Sequence, residues 1–155
     1  MSRTTGTLLA VASALGLAVS LRRRRDDPRL LVERYYGAWE HGDAEALREL
    51  LARDYRGHVH ALAGTEERDV DALVGRLESH AAAFEWTEFE VCDLLRDDGR
   101  VAARIRMRAR HRETAREGEI EGLVILRVAR GCIAEEWSSW DYLGLAEQLG
   151  LGQVA

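Results

Sequence analysis

From residue 27 onward the apolar positions follow first a helical period and then a strand period. Asp27-Pro28 offers an N-cap with proline at the first helical position, and Val32, Tyr35, Tyr36 and Trp39 recur every three or four residues until Gly42. This predicts a first helix with an aromatic face. Asp43 caps a shorter helix carrying Leu47, Leu50 and Leu51, and Val70, Leu73, Val74, Leu77, Ala81 and Phe84 mark a third. A short strand near Arg56 to His60 falls between them. After Phe84 the period drops to two: Thr87, Phe89, Val91, Asp93 and Leu95 share one face, with Glu88, Glu90 and Cys92 on the other.

Beyond Asp97-Asp98-Gly99 the next strand sets Val101, Ala103, Ile105, Met107, Ala109 and His111 on one face and Arg104, Arg106, Arg108 and Arg110 on the other. Side-chain parity constrains the hairpin. A two-residue loop opposes Glu90 and Met107, whereas a three-residue loop with Gly99 left-handed pairs Glu90 with Arg106 and Glu88 with Arg108, which the charges favour. The same logic makes Ala129-Arg130-Gly131 the turn between a strand over residues 122–128 and a last strand over 132–141. Three helices followed by an antiparallel meander predict an α+β layer fold.

The length of 155 residues suits one such domain. Its basic residues are all Arg, and the net charge of −5 becomes −8 over residues 28–155, where 17 Arg face 25 Asp and Glu. The body is therefore not expected to bind nucleic acid, and the Arg104–Arg110 stripe reads as an ion-paired face opposite Glu88 and Glu90. Residues 1–27 are of another kind. Eighteen uncharged residues (4–21) precede Arg22-Arg23-Arg24-Arg25. That run spans roughly 27 Å as a helix, and the arginines behind it favour a membrane anchor with the body, residues 28–155, in the cytoplasm. The alternatives are a signal peptide ending near Ala18-Val19-Ser20 and exported, or an unanchored, soluble tail.

No nucleophile elbow, phosphate loop or dinucleotide fingerprint occurs. Cys92 and Cys132 lack metal or disulfide spacing, and His58-Val59-His60 has no acidic cluster to complete a zinc site. The last strand carries Ile133, Glu135, Trp137, Ser139 and Asp141 on one face, so two carboxylates share a surface with an indole. In an apolar cavity such a carboxylate becomes a base strong enough to take a proton next to a carbonyl. The structural alternative pairs Glu135 with Arg127 and makes Asp141 the cap of a terminal turn at Tyr142-Leu143. His111 ends the Met107 face, while His80, beside Glu78, reads as a surface histidine.

The chain resembles the SnoaL-like polyketide cyclase family of the nuclear transport factor 2-like fold over about residues 30 to 151. The resemblance rests on Arg127-Val128 through Gly131, Ile133-Ala134-Glu135-Glu136-Trp137, Trp140-Asp141, Leu143-Gly144-Leu145 and Gln148-Leu149-Gly150, with Asp54-Tyr55 before His58 and Val101-Ala102-Ala103-Arg104 leading to His111. It implies a cone-shaped barrel, three N-terminal helices on a curved antiparallel sheet around an apolar cavity, commonly dimeric. It also implies aldol-type cyclase or isomerase chemistry on a hydrophobic, carbonyl-bearing small molecule, with no metal or cofactor. Carried over by position, Asp141 is the expected base, with His58 and His111 as polarising groups. Tyr36, Trp39, Met107, Glu135 and Trp137 are the expected substrate-binding residues. Ala109-Arg110 stands where the family has Gly-Thr, and the segment to Gly122 is short. A non-catalytic ligand-binding or dimerisation module is the alternative on the same fold.

Overall fold

A computed structural model of the chain describes residues 27–61 and 64–151. Three helices form where their caps place them. Asp27 accepts a hydrogen bond from the Arg29 backbone N–H at 3.0 Å, and Pro28 opens α1 (Pro28–His41). Asp43 and Asp69 cap α2 (Ala44–Leu50) and α3 (Val70–Ala83) in the same way, accepting from Ala46 N and Ala72 N at 2.9 Å. Each carboxylate satisfies an N–H that has no partner inside its helix and meets the positive end of the helix dipole. A fourth helix, α4 (Tyr142–Gln148), follows the last strand.

Six strands build one sheet: β1 (Leu51–Ala61), β2 (Gly64–Arg68), β3 (Phe84–Asp97), β4 (Arg100–His111), β5 (Glu117–Ala129) and β6 (Cys132–Trp140), in the order β2-β1-β6-β5-β4-β3. β3 to β6 form the expected antiparallel meander. The sheet as a whole is mixed, however, because β1 runs parallel to β6 and brings β2 along as its hairpin partner. Four helices pack on this curved sheet, which does not close into a barrel. Phe84 begins β3 instead of ending α3.

The β3–β4 and β5–β6 turns both correct the loop-length reading. Asp97 pairs with Arg100 and Ala129 with Cys132, so each loop has two residues, Asp98-Gly99 and Arg130-Gly131. All four have positive φ (32° and 76°, 54° and 79°), the backbone that matches strand twist in a tight hairpin. Glu88 and Arg108, and Glu90 and Arg106, are nonetheless opposite each other as the charges required. The parity change comes from an extra residue within the strand: Val91 pairs with Ile105 and Asp93 with Arg104, leaving Cys92 unopposed. In β6 the equivalent extra residue is Ala134, between Val128–Ile133 and Arg127–Glu135.

The helices cover one face of the sheet. Val32, Tyr35, Leu47, Leu73 and Leu77 bury against Tyr55, Val59, Ile105, Val124, Leu126 and Ile133. The other face carries Arg104, Arg106, Arg108 and Arg110 in ion pairs with Asp93, Glu121, Glu119, Glu90, Glu88 and Glu85. Between these pairs and β6 it leaves Leu123 and Ile125 63% and 44% exposed. Among the described residues no helix is long and apolar enough to cross a membrane. The expected leader or anchor, residues 4–21 with the arginines behind it, lies outside the described residues.

Candidate active site

A cavity opens between the helices and the covered face of the sheet. Its walls are Tyr35, Tyr36 and Trp39 of α1, Leu73 and His80 of α3, and Tyr142 of α4, facing Val59, Arg68, Trp86, Met107, Ile120, Glu136, Ser138 and Trp140 of the sheet. The atom-free space, counting the part open to solvent, is about 460 Å³, and the Tyr and Trp side chains on both walls make it an aromatic slot. Two glycines make room for it. A Cβ at Gly122 would run into the Trp140 ring, and one at Gly57 would stand 2.6 Å from the Tyr55 hydroxyl that reaches across it.

That hydroxyl meets the one carboxylate on the wall. Glu136 is 4% exposed, and its Oε2 accepts hydrogen bonds from Tyr35 at 2.6 Å and Tyr55 at 2.9 Å. Burial, with the carboxylate beside them, pushes both phenols well above the usual tyrosine range, so they remain donors. Both donate to the same oxygen, which leaves Oε1 without a partner among the described residues. A carboxylate in this setting has one oxygen anchored and one able to take a proton.

Among the described residues four buried side-chain polar atoms have no hydrogen-bond partner: Tyr36 Oη, Trp39 Nε1, Trp86 Nε1 and Ser138 Oγ. All four belong to residues of the cavity wall. A buried donor without an acceptor costs on the order of 1–3 kcal/mol, so four on one wall are open to a water or to another oxygen acceptor. His80 lies among them, its ring 5.6 Å from Trp39, 6.3 Å from Trp86 and 6.1 Å from Phe84. Burial, with Arg76 and Arg68 nearby, pulls its pKa down to about 4, so the imidazole is neutral at pH 7 and offers an N–H. The surface position expected for His80 is therefore corrected.

The expected site residues divide. Tyr36, Trp39 and Met107 line the cavity. Asp141, His58 and His111 are not brought together. Asp141 is the N-cap of α4, its Oδ1 accepting from Gly144 N at 2.9 Å, as the structural alternative had it. His58, Glu135 and Trp137 lie on the uncovered face of the sheet. His58 stacks on Trp137 at 5.4 Å and meets Glu135 at 3.1 Å, and Arg127 donates to Glu135 at 2.9 Å and holds its carboxyl below the usual range. His111 meets Thr114 at 3.1 Å and touches the outer edge of the aromatic group through Phe84. Among the described residues no three His, Cys, Asp or Glu side chains gather as a metal ion requires.

The physical reason for the misplaced face is Ala134. Ile133 and Ala134 are both buried, at 0% and 5% exposure, so alternation restarts after them and turns Glu136, Ser138 and Trp140 inward. Counting from Ile133 without this extra residue puts Glu135 and Trp137 inside. The available signal was the pair Glu135-Glu136 itself, with an ion-pair partner, Arg127, for only the first.

Comparison with known proteins agrees with this architecture. Among curated proteins no relative matches the chain. Among solved structures IdmH, "a putative polyketide cyclase" from Streptomyces antibioticus, superposes with a TM-score of 0.71 at 30% identity, over 80% of this chain and 99% of that one. A "putative polyketide cyclase" from Bacillus cereus gives 0.68 at 24% identity, covering 79% of each chain. A protein of ketosteroid isomerase-like fold from Catenulispora acidiphila gives 0.68 at 17% identity, over 78% and 92%. The family model described as SnoaL-like polyketide cyclase matches residues 29–149, and with that match the chain belongs to the SnoaL-like polyketide cyclase family.

Proposed function

We propose that the protein is an acid–base enzyme of the cyclase or isomerase type, acting in this cavity on a hydrophobic small molecule that carries a carbonyl. Glu136 is the base: Oε1 removes a proton from the carbon next to the carbonyl while Tyr35 and Tyr55 hold Oε2. The carbonyl oxygen, on which charge then develops, is received by the partnerless donors among Tyr36, Trp39, Trp86 and Ser138, with the neutral His80 imidazole beside them. Such donors are worth most where water is excluded. The resulting enolate either attacks a second carbonyl, closing a ring, or is reprotonated at another carbon, and side chains alone can supply either course. The observation that carries the reading is the convergence of one buried carboxylate and four partnerless donors on a single aromatic slot. The uncovered face of the sheet supports a further proposal, that two copies pair through Leu123 and Ile125.

The chemistry is tested with 2-tetralone in D2O, following loss of its α-protons by NMR. The wild type is expected to accelerate exchange. Glu136→Gln keeps an acceptor for both phenols and should lower the rate by roughly 10²- to 10⁴-fold, while Asp141→Asn, at a cap that Asn also fills, should leave it unchanged. Loss of exchange in Asp141→Asn but not in Glu136→Gln would return the role to Asp141. Binding of the ketone with no acceleration would favour the non-catalytic module.

A further inference from the structure

Among the residues on the cavity wall Arg68 alone carries a permanent positive charge. It stands at the end of the edge strand β2, where a guanidinium is ordinarily solvated, yet its side chain is only 10% exposed. One nitrogen, Nη2, donates to Glu66 at 2.6 Å, and Glu66 is itself 56% exposed. Nε and Nη1 have no partner among the described residues. Nε and Nη1 are not among the fully buried partnerless atoms, so they stay open to water or to an incoming group, and a guanidinium this little exposed has room for a second acceptor beside Glu66. A surface ion pair would hold its head group equally well outside the slot.

The Tyr142 phenol locates Arg68 relative to the rest of the site. Burial chiefly raises its pKa and so opposes its ionisation; of the nearby charges, Arg68 and Arg76 lower the pKa and Glu136 and Glu66 raise it. The same ring therefore feels the cation and the carboxylate, and one aromatic slot carries both a positive and a negative group.

We infer that the substrate is an anion: a flat, hydrophobic carbonyl compound bearing a carboxylate, which docks in a two-pronged contact on Nε and Nη1 of Arg68 and leaves its acidic C–H to Glu136. The planar fork of a guanidinium matches a carboxylate in this way and fixes orientation as well as position. Arg68 is thus a specificity-determining residue. The inference rests on the cavity being the substrate site.

Calorimetric titration with 2-naphthoate and 2-naphthamide, which share a ring system and differ in charge, tests it. The wild type should bind the naphthoate at least tenfold more tightly. Arg68→Gln should abolish that preference, and Arg68→Lys, which keeps the charge without the fork, should retain part of it and covers the case in which the glutamine variant fails to fold. Ser138→Phe, which fills the slot, should remove binding of both compounds. Equal affinities for the two compounds, both lost in Ser138→Phe, would overturn the anion inference and leave the cavity as the binding site. A naphthoate preference that survives Arg68→Gln would place the anion elsewhere and also overturn it. Absence of binding by either compound would overturn the reading of the cavity, and this inference with it.

Discussion

A histidine held among two indoles and a phenyl ring is easier to keep neutral than charged, and His80 is in that position. In an unfolded chain it takes a proton near pH 6.5. In the fold it does so only near pH 4, because burial, then Arg76 and Arg68, oppose the charge. Between these values the unfolded chain binds more protons, so stability rises with pH across the window. The contribution is complete above about pH 6.5 and is lost as the pH falls toward 4; by pH 5 up to roughly 2 kcal/mol is gone. Urea unfolding at pH 7.5 and 5.0 should show the wild type losing that much more than His80→Gln, whose side chain does not titrate. Equal losses would mean that His80 is solvated. The same neutral state suits the proposed chemistry, since an imidazolium beside two arginines would be unstable and a neutral N–H can still be given to a carbonyl oxygen.

At the scale of elements the meander owes its faces to extra residues inside its strands, Thr87 and Cys92 in β3 and Ala134 in β6. If Cys92 is only an insertion, its deletion joins Val91 and Asp93 into a regular ladder, with Glu88–Arg108 and Glu90–Arg106 still opposite and Phe89 still stacked on Tyr36. That variant should melt cooperatively within a few degrees of the wild type. Deleting Arg104 from β4, which has neighbours on both sides, flips one half of the strand relative to β3 and β5 and should abolish cooperative melting. Unfolding of the Cys92 deletion would refute the account. These insertions also explain what was legible beforehand. Caps and helical periods showed in Asp27, Asp43 and Asp69, because a cap is a local interaction between neighbours in the chain. The Glu–Arg ladder showed because charges on adjacent strands constrain one another. Glu136 and Ser138 did not, since a single unpaired residue reverses every later position and Ala134 has no side-chain signature that announces it. Nor did Arg68, whose burial depends on β2 lying at the edge of a sheet that closes over the slot.

Among the described residues the molecule has one sheet face covered by helices and one left open, and the open face is not uniformly polar. Leu123 and Ile125 project from β5 into solvent, with Trp137 beside them on β6, opposite Ile125, and Arg100 over its ring at 6.0 Å. Arg–carboxylate ladders flank this patch on one side and the Arg127–Glu135–His58 cluster on the other. Exposed pairs of this kind add little to stability, but they set a polar rim around an apolar centre, the composition of a protein interface. A second copy presents the same patch, so a two-fold axis through β5 would bury Leu123 and Ile125 of both copies without requiring any other partner. An interface of ordinary size takes about 800 Å² from each side, an area that one face of a six-stranded sheet can supply. Sedimentation of residues 27–155 at 10 μM is therefore expected to show a dimer. Leu123→Arg combined with Ile125→Arg should give a monomer with an unchanged far-UV spectrum, because both side chains point away from the core. A wild-type monomer at that concentration would refute the pairing. A variant that remains dimeric would move the interface to another surface, leaving the open face without its proposed partner.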